Sequence, residues 1–310
     1  MRTAIRSFVL VMFAATLLQT YAQTPSAKVP VTTLVTVLGP KFTAPPPITK
    51  QDLIVTSGKT RLDVINWEPA QGQRGGLQLA IVIDNSASQL GVGSQLNELA
   101  SFITAQAKPT AVGVFYAANG TVQTAAPFST DHEAVAKTLR VPLGLRAGES
   151  PSVYLSLSDL VKNKWHMRAG RREVLLISSG IDRMDRGPES PYVQEAIEDV
   201  EKAGVVVHAI DTGGVRLGDS IRGEFAEGNL AQLTAGSGGY NLFDGITAPV
   251  SFSPYLKELD MALRNQYRLT FAIEPSNKSK GEIRDIKIRT EQHNVDLRYA
   301  KQVLVPGVTK

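Results

Sequence analysis

The pattern of hydrophobic and polar positions divides the chain into three stretches. Residues 31–75 carry short β-branched and apolar runs without helical periodicity, and three consecutive prolines at 45–47 interrupt them, which predicts a small β-rich module. From Leu77 onward, continuous apolar runs alternate with segments whose apolar residues recur every three or four positions. This pattern predicts strands alternating with helices around a parallel sheet. After Asn265 the pattern returns to strands.

The same runs give bounds for the predicted elements. Strands are expected at 32–37, 52–56, 60–67, 77–84, 111–116, 122–128, 173–178, 205–210, 240–243, 267–273, 283–289 and 295–299. Helices are expected at 95–107, 131–139, 152–165, 191–203, 224–235 and 254–265. Thr130 is the expected N-cap of the second helix. The turn at Asn119-Gly120 predicts a hairpin, so one edge strand should be antiparallel.

These elements predict an α/β fold class. The central, mostly parallel sheet is expected to be doubly wound, with helices on both faces, and to be flanked by N- and C-terminal β segments. The expected division is a signal peptide at 1–22, a leader and β-rich module at 23–75, the α/β domain at 76–265 and a β tail at 266–305. The tail alternates apolar and polar residues and cannot bury one face alone, so it should dock on the rest of the chain.

The N-terminus and the cysteine count indicate where the protein works. Arg2 and Arg6 precede an apolar run at 8–18 that is too short to span a bilayer, and Ala22 offers a cleavage site before Gln23. The sequence has no cysteine and no second apolar run long enough to cross a membrane. Together these features favour a secreted or periplasmic bacterial protein without disulfides. An uncleaved N-terminal anchor is the alternative.

The charge balance excludes some classes of partner. The chain carries 33 basic and 29 acidic residues, a net charge of +4 with the histidines neutral. Two of the basic residues would leave with the signal peptide. The remainder gives no argument for binding nucleic acid or an anionic membrane surface.

The candidate chemistry lies where the first strand of the α/β domain ends. The strand at 77–84 is apolar enough to be buried on both faces, and it runs into Asp84-x-Ser86-x-Ser88. In open α/β sheets, ligands bind outside the carboxyl ends of the strands. A carboxylate and two hydroxyls from one turn suit Mg²⁺ or Mn²⁺, although Asp and Ser also fill such loops as caps and turn residues.

The order of the segments resembles a known family. The β-rich lead-in, LAIVIDNSAS, VLLISSGID, VVVHAIDTGG and LRNQYRLTF with its β tail are similar to the von Willebrand factor type A-related (VWFA-related) domain proteins of the acidobacterial type. The similarity covers about residues 30–305. It implies a type A fold, a role in binding another protein rather than in catalysis, and a metal-ion-dependent adhesion site.

The resemblance distributes the implied metal site over three segments. The implied ligands of Mg²⁺ or Mn²⁺ are Asp84, Ser86, Ser88, Ser152 and Asp182. Ser152, or alternatively Ser150, stands where the family has a threonine. Ser179 replaces the usual aspartate of the third segment, and Asp182 could take part only if its loop bends back. Fewer carboxylates mean weaker binding of the cation.

A partner is expected to meet the rim of loops at 84–91, 147–154, 179–188 and 211–218, where its acidic side chain could complete the coordination of a bound metal. The expected rim residues are Asn85, Gln89, Ser150, Ser179 and Asp211. A metal-free scaffold using the same loops is one alternative. A serine hydrolase using Ser86 is another, although the flanking Gly-x-Ser-x-Gly is absent. His208 lies inside a predicted strand and is expected to be a core histidine with a satisfied partner.

The first prediction concerns processing of the N-terminus. Because the apolar run is short and Ala22 precedes Gln23, the exported protein should begin near Gln23. Intact-mass measurement of protein recovered from outside the cytoplasm tests this. A mass that retains residues 1–22, found in the membrane fraction, would contradict it.

Overall fold

A computed structural model describes residues 27–71, 76–87, 92–145, 149–166, 170–184, 190–213, 220–243 and 248–307. The predicted signal peptide, Ser88 and Gln89 lie outside the described residues. Within these ranges, none of the helices is both long and apolar enough to cross a membrane.

Strands and helices are numbered separately in chain order. The strands are β1 Val29–Leu38, β2 Leu53–Ser57, β3 Thr60–Pro69, β4 Leu77–Asp84, β5 Ala111–Ala118, β6 Thr121–Ser129, β7 Arg171–Ser178, β8 Val206–Asp211, β9 Asn241–Phe243, β10 Gln266–Ile273, β11 Glu282–Asp285, β12 Lys287–Thr290, β13 Asp296–Tyr299 and β14 Gln302–Val305. The helices are α1 Leu96–Thr104, α2 His132–Ala136, α3 Val153–Asp159, α4 Pro191–Ala203, α5 Ser220–Ser237 and α6 Ser253–Arg264. Helix α3 continues as a π-helical segment, Leu160–Lys164.

The α/β domain is built on a sheet with the strand order β6-β5-β4-β7-β8-β9. All neighbouring pairs are parallel except β5 and β6, which form an antiparallel hairpin. Asn119 and Gly120 join these two strands with φ angles of 50° and 76°, the left-handed values that a tight hairpin turn requires. The predicted mostly parallel sheet with one antiparallel edge strand is therefore confirmed.

The two faces of this sheet are covered by different helices. Every residue of β4 is buried, and successive side chains point to opposite faces. Ile81 and Ile83 pack in a cluster with α1 and α6, whereas Ala80 and Val82 pack in a second cluster with α3, α4 and α5. Burial of each large aliphatic side chain contributes roughly 1.5–3 kcal/mol, so the continuous apolar run of β4 fixes it in the middle of the domain.

The two ends of the chain form a second sheet together. Its order is β12-β2-β3-β10-β1-β13, and all neighbouring strands are antiparallel. β10 lies between β1 and β3, and its register pairs Phe271 with Val31 and Val64. A two-stranded ribbon of β11 and β14 packs against this sheet through a shared apolar core that includes Ile286 and Val303. The N- and C-terminal segments are therefore one β structure.

Some predicted bounds were wrong. Asp131, not Thr130, is the N-cap of α2, because its side chain accepts a hydrogen bond from Ala134 N. The predicted strand at 283–289 is two strands, β11 and β12, which belong to different sheets and are separated at Ile286. The periodicity missed this break because Ile286 is itself apolar and buried. Strand β14 was missed altogether, and α5 begins four residues earlier than predicted.

A buried polar network joins the two sheets. Glu173 of β7 is fully buried at its centre. Its carboxylate accepts hydrogen bonds from His208 Nε2 at 2.9 Å and Gln266 Nε2 at 3.2 Å, and lies 3.4 Å from Arg171 Nη2. Gln266 begins β10 and also donates to Thr36 Oγ1 of β1 at 3.1 Å. The network therefore connects β7 and β8 of the parallel sheet to β1 and β10 of the antiparallel sheet.

The network gives the two nitrogens of His208 different roles. Tyr240 N–H donates to His208 Nδ1 at 3.3 Å, and Nε2 faces the carboxylate of Glu173. Burial alone would raise the pKa of Glu173, but the hydrogen bond from His208 and the charge of Arg171 outweigh it and lower that pKa. The stabilisation from ionised Glu173 is therefore present above the ordinary pKa of glutamate and is lost as the pH falls through the lowered value.

The second prediction concerns the C-terminal strands. Truncation after Asn265 removes β10 from the middle of the antiparallel sheet and deletes Gln266 from the buried network. We expect loss of soluble protein or a large fall in melting temperature, because β1 and β3 lose the strand that lies between them. Removal of residues 308–310 alone is the control. A truncated protein that melts like the full chain would show that the tail is an independent appendage.

Candidate functional site

Three side chains form a row at the carboxyl edge of the parallel sheet. Asp84 ends β4, Ser178 ends the adjacent strand β7, and Asp211 ends β8. Ser178 and Asp211 are register partners, and Ser178 Oγ donates to Asp84 Oδ2 at 2.7 Å. Because Ile83 and Ile177 pack with α1 and α6, the next residue of each strand points to the opposite face, which carries α3, α4 and α5.

Asp84 is held on both of its oxygens. Oδ1 accepts hydrogen bonds from the Ser86 backbone N at 2.9 Å and from Ser86 Oγ at 2.6 Å. Oδ2 accepts from Ser178 Oγ. The carboxylate is 3% exposed, so these donors replace the water that burial removes. Asp84 and Ser86 of the predicted metal site are therefore brought together.

Tyr154 links the candidate site to the loop after β7. It is fully buried in α3 and donates from its hydroxyl to Gly180 O at 2.9 Å. Burial raises the pKa of Tyr154 well above its ordinary value, and the charges of Asp182, Asp211 and Asp84 raise it further.

Asp182 is held by its own loop. Its Oδ1 accepts from Met184 N at 2.9 Å, and its Oδ2 accepts from Ser190 Oγ at 2.5 Å. Asp211 Oδ1 likewise accepts from Gly213 N at 2.8 Å. Asp84, Asp182 and Asp211 thus each accept the N–H of the residue two positions on, as in an Asx turn.

The serines of the other two segments differ in exposure. Ser152 is buried and is the N-cap of α3, where its Oγ accepts from Leu155 N at 3.3 Å. Ser150 is exposed, and Ser179 is partly buried, with its Oγ 3.5 Å from Ile181 N. It is Ser178, not Ser179, whose hydroxyl contacts Asp84. Ser88 and Gln89 lie outside the described residues.

Asn85 has a positioning role at the rim. It is buried, and its side-chain oxygen accepts from Arg140 Nη1 at 2.9 Å and from Leu143 N at 3.1 Å. Its backbone O accepts from Gly144 N at 3.0 Å. Asn85 therefore anchors the segment that crosses the carboxyl edge on the way from α2 to α3. Its side-chain oxygen is committed to that segment.

The anchored segment presents apolar side chains to solvent. Val141, Leu143 and Leu145 alternate along it and are 41%, 47% and 45% exposed. Met184, in the loop after β7, is also exposed. Backbone hydrogen bonding of Arg183 N to Pro151 O at 3.0 Å ties that loop to the residues just before α3. Apolar and acidic side chains thus lie on connected loops at one edge of the domain.

The donor set fits a cation in part. Asp84 Oδ1 and Ser86 Oγ are 2.6 Å apart, and adjacent ligands of an octahedral Mg²⁺ stand about 2.9 Å apart, so this pair needs to open only slightly. Across the described residues, however, no three histidine, aspartate or glutamate side chains group closely enough to hold a metal. Hydroxyls, water and a partner would have to supply the remaining ligands.

Sequence reasoning missed Ser178 and Tyr154. The signal for Ser178 was available, because it ends the strand EVLLIS and carboxyl ends of parallel strands meet at one edge. Tyr154 gave no such signal, since an aromatic residue near a helix start is ordinarily a core residue.

Two of the four histidines, His132 and His208, have partners other than Ser86. His208 is a core histidine paired with Glu173, as predicted. His132 Nε2 contacts Thr110 O at 2.8 Å. Of the described side chains, the recorded partner of Ser86 Oγ is Asp84, whereas a serine nucleophile needs a base that can take its proton.

The chain was compared with known proteins. No family model matches, and no curated protein matches. Among solved structures, an aerotolerance-related membrane protein from Bacteroides fragilis has 13% identity and a TM-score of 0.44, covering 61% of this chain and 98% of that one. BatB, a conserved hypothetical protein from Bacteroides thetaiotaomicron, has 14% identity and a TM-score of 0.38, covering 60% and 98%. The SpRpn10 VWA domain has 10% identity and a TM-score of 0.39, covering 60% and 96%.

The domain resembles the von Willebrand factor type A fold in its strand order, its single antiparallel edge pair and the aspartate that ends β4.

Proposed function

We propose that the chain is an exported, non-catalytic protein-interaction module. In this proposal a doubly wound type A-like domain binds its partner with the loops at the carboxyl edge of its parallel sheet. The observation that carries the proposal is the row of Asp84, Ser178 and Asp211 at that edge, with Asp182 approaching from the neighbouring loop. Ligands of open α/β sheets bind at this edge.

The neighbouring loops supply exposed apolar side chains on an anchored backbone, which a protein interface needs. Val141, Leu143 and Leu145 offer apolar area beside the acidic row, and Asn85 fixes the backbone that presents them. A rigid apolar segment next to a charged centre gives both affinity and orientation. Single exposed apolar residues are common on protein surfaces, but here three alternate in one anchored segment.

Export is supported by the sequence rather than by the fold. The positive N-terminus, the short apolar run and the absence of cysteine favour a secreted or periplasmic protein. The near-neutral charge of the mature chain favours a protein partner over nucleic acid.

A weakly bound Mg²⁺ or Mn²⁺ is part of the proposal. Asp84 and Ser86 would hold it, with Ser152 and Asp182 as the nearest further candidates from the second and third segments, and an acidic side chain of the partner would complete its coordination. The metal-free version of the proposal uses the same loops. In that version the carboxylates of Asp84 and Asp182 favour a basic side chain of the partner.

The third prediction tests the cation. Millimolar Mg²⁺ or Mn²⁺ should raise the melting temperature, because a cation at tenfold its dissociation constant adds about 1.4 kcal/mol to the free energy of unfolding. Asp84→Asn should abolish the shift, and Asp182→Asn should reduce it. Asp260→Asn, which removes an exposed carboxylate paired with Arg264 on α6, is the matched control.

If the melting temperature of the wild-type protein does not shift at millimolar cation while Asp84→Asn is still folded, the cation is excluded from the proposal. The metal-free scaffold then remains. Equal loss of the shift in the Asp260 control would point to nonspecific binding.

The fourth prediction tests the binding edge. Immobilised mature protein should retain specific proteins from the exported fraction of its own organism, and Leu143→Glu should release them, because a charge then replaces apolar contact area. Ile65→Glu on β3 changes a similarly exposed apolar residue, 49% exposed, on the antiparallel sheet. Loss of the same proteins in the Ile65 variant but not in the Leu143 variant would contradict the proposed edge.

A further inference from the structure

A cavity of about 360 Å³ lies at the amino end of the parallel sheet, opposite the candidate site. Its walls are formed by β1, by the beginnings of β7 and β8, by the last turn of α4 and by β14. The cavity therefore lies between the α/β domain and the β structure formed by the two chain ends. Glu201 of α4 is part of its wall.

Glu201 is an unusual residue for this position. It is only 7% exposed, and within the described part of the chain no hydrogen-bond donor or cation is paired with its carboxylate. Its Oε1 lies 3.5 Å from where a Cβ on Gly236, near the end of α5, would stand. A buried carboxylate without a donor is destabilising in its ionised form.

The nearest charges make ionisation still less favourable. Glu198, one turn earlier on α4, and Asp285 of β11 both carry the same sign, and only Lys202 opposes them. Asp285 is fixed in place, because its Oδ1 accepts from Gln302 Nε2 of β14 at 2.7 Å. Burial, followed by the charges of Glu198 and Asp285, raises the pKa of Glu201 to about 7.

The cations on the other walls are engaged elsewhere. Arg171 belongs to the Glu173 network and also donates to two backbone carbonyls. Arg268 lies 3.9 Å from Glu68, and Arg172 has an interaction of its own. Lys301, which is not part of the cavity wall, lies over the Tyr299 ring. None of them is paired with Glu201 among the described residues.

We propose that protonation of Glu201 holds the β11–β14 ribbon against α4, and we call this pH-dependent contact the latch. When protonated, Glu201 packs in the cavity wall as a neutral group. When ionised, it repels Asp285 and draws water into the cavity, so the ribbon loosens from α4. The latch is independent of the binding edge proposed above, which lies at the other end of the parallel strands.

The direction of the pH dependence follows from linkage. The folded-state pKa of Glu201 lies above its ordinary value, so its stabilising effect is fully present below the ordinary pKa of glutamate and is lost as the pH rises through about 7. The ribbon should therefore be held more tightly in mildly acidic surroundings than in alkaline ones.

Hydrogen exchange of the backbone amides in Glu282–Asp285 and Gln302–Val305 tests the latch. After correction for intrinsic exchange, protection in the full mature chain should fall about tenfold or more between about pH 5.5 and about pH 8. Glu201→Gln keeps the shape and removes the charge, so its protection should stay high at both values. Glu198→Gln, which changes a more exposed carboxylate of the same helix, should keep the pH dependence and move its midpoint down.

If Glu201→Gln does not fold, Asp285→Asn serves as the second variant. It should also lower the pH at the midpoint of the change in hydrogen-exchange protection. A carboxyl carbon NMR titration of Glu201 in the wild type should show a midpoint near 7. A midpoint at the ordinary value for glutamate would overturn the proposal. Wild-type pH dependence persisting in both Glu201→Gln and Asp285→Asn would overturn it as well.

Discussion

The arrangement of the whole chain depends on the buried carboxylate of Glu173. A charge removed from water is costly unless other groups replace its hydration, and removing one partner of such a group typically destabilises a protein by about 3–5 kcal/mol. The groups that replace water here come from β7, β8 and β10, and Gln266 extends the contact to Thr36 of β1. The hydrogen bond from Gln266 to Glu173 is present only when the antiparallel sheet is docked on the α/β domain. Arg171 Nε and Gln266 Oε1 remain buried without a partner, so the network has little redundancy.

The same strands that carry this network also carry the candidate site. Glu173 and Ser178 lie on β7, and His208 and Asp211 lie on β8. In each strand the two residues are an odd number of positions apart, so they point to opposite faces. The network is thus near the amino ends on the face of α1 and α6, and the acidic row is at the carboxyl ends on the face of α3, α4 and α5. The largely buried strands β7 and β8 fix the distance and orientation between the Glu173 network and the proposed binding edge.

The sequence predicted the positions of strands and helices better than it predicted which strands pair with each other. The apolar run of β4 and the aspartate that ends it were readable because a buried parallel strand is continuous in hydrophobicity. The joining of β1 with β10 was not readable, because the two strands are more than 200 residues apart and their register depends on tertiary packing. Ser152 illustrates the limit at the site, since a serine before a helix can cap it or ligate a metal, and the cap hydrogen bond to Leu155 N appears only in three dimensions. That Ser178 rather than Ser179 contacts Asp84 became clear only in three dimensions, because β7 ends at Ser178.

At the acidic edge, repulsion between carboxylates opposes the hydrogen bonds that the carboxylates accept. In the proposed function, this balance determines which charge the partner should carry. Asp84, Asp182 and Asp211 lie close enough to act on the same buried Tyr154, so their charges repel one another. Each carboxylate also accepts a backbone N–H two residues on, and hydroxyls of Ser86, Ser178 and Ser190 supply further donors. These hydrogen bonds replace the water that burial removes from the carboxylates. In the proposed function, a dication at this edge would recruit an acidic side chain of the partner, whereas the metal-free edge would recruit a basic one. The sign of the partner's charge would then report whether the cation is bound.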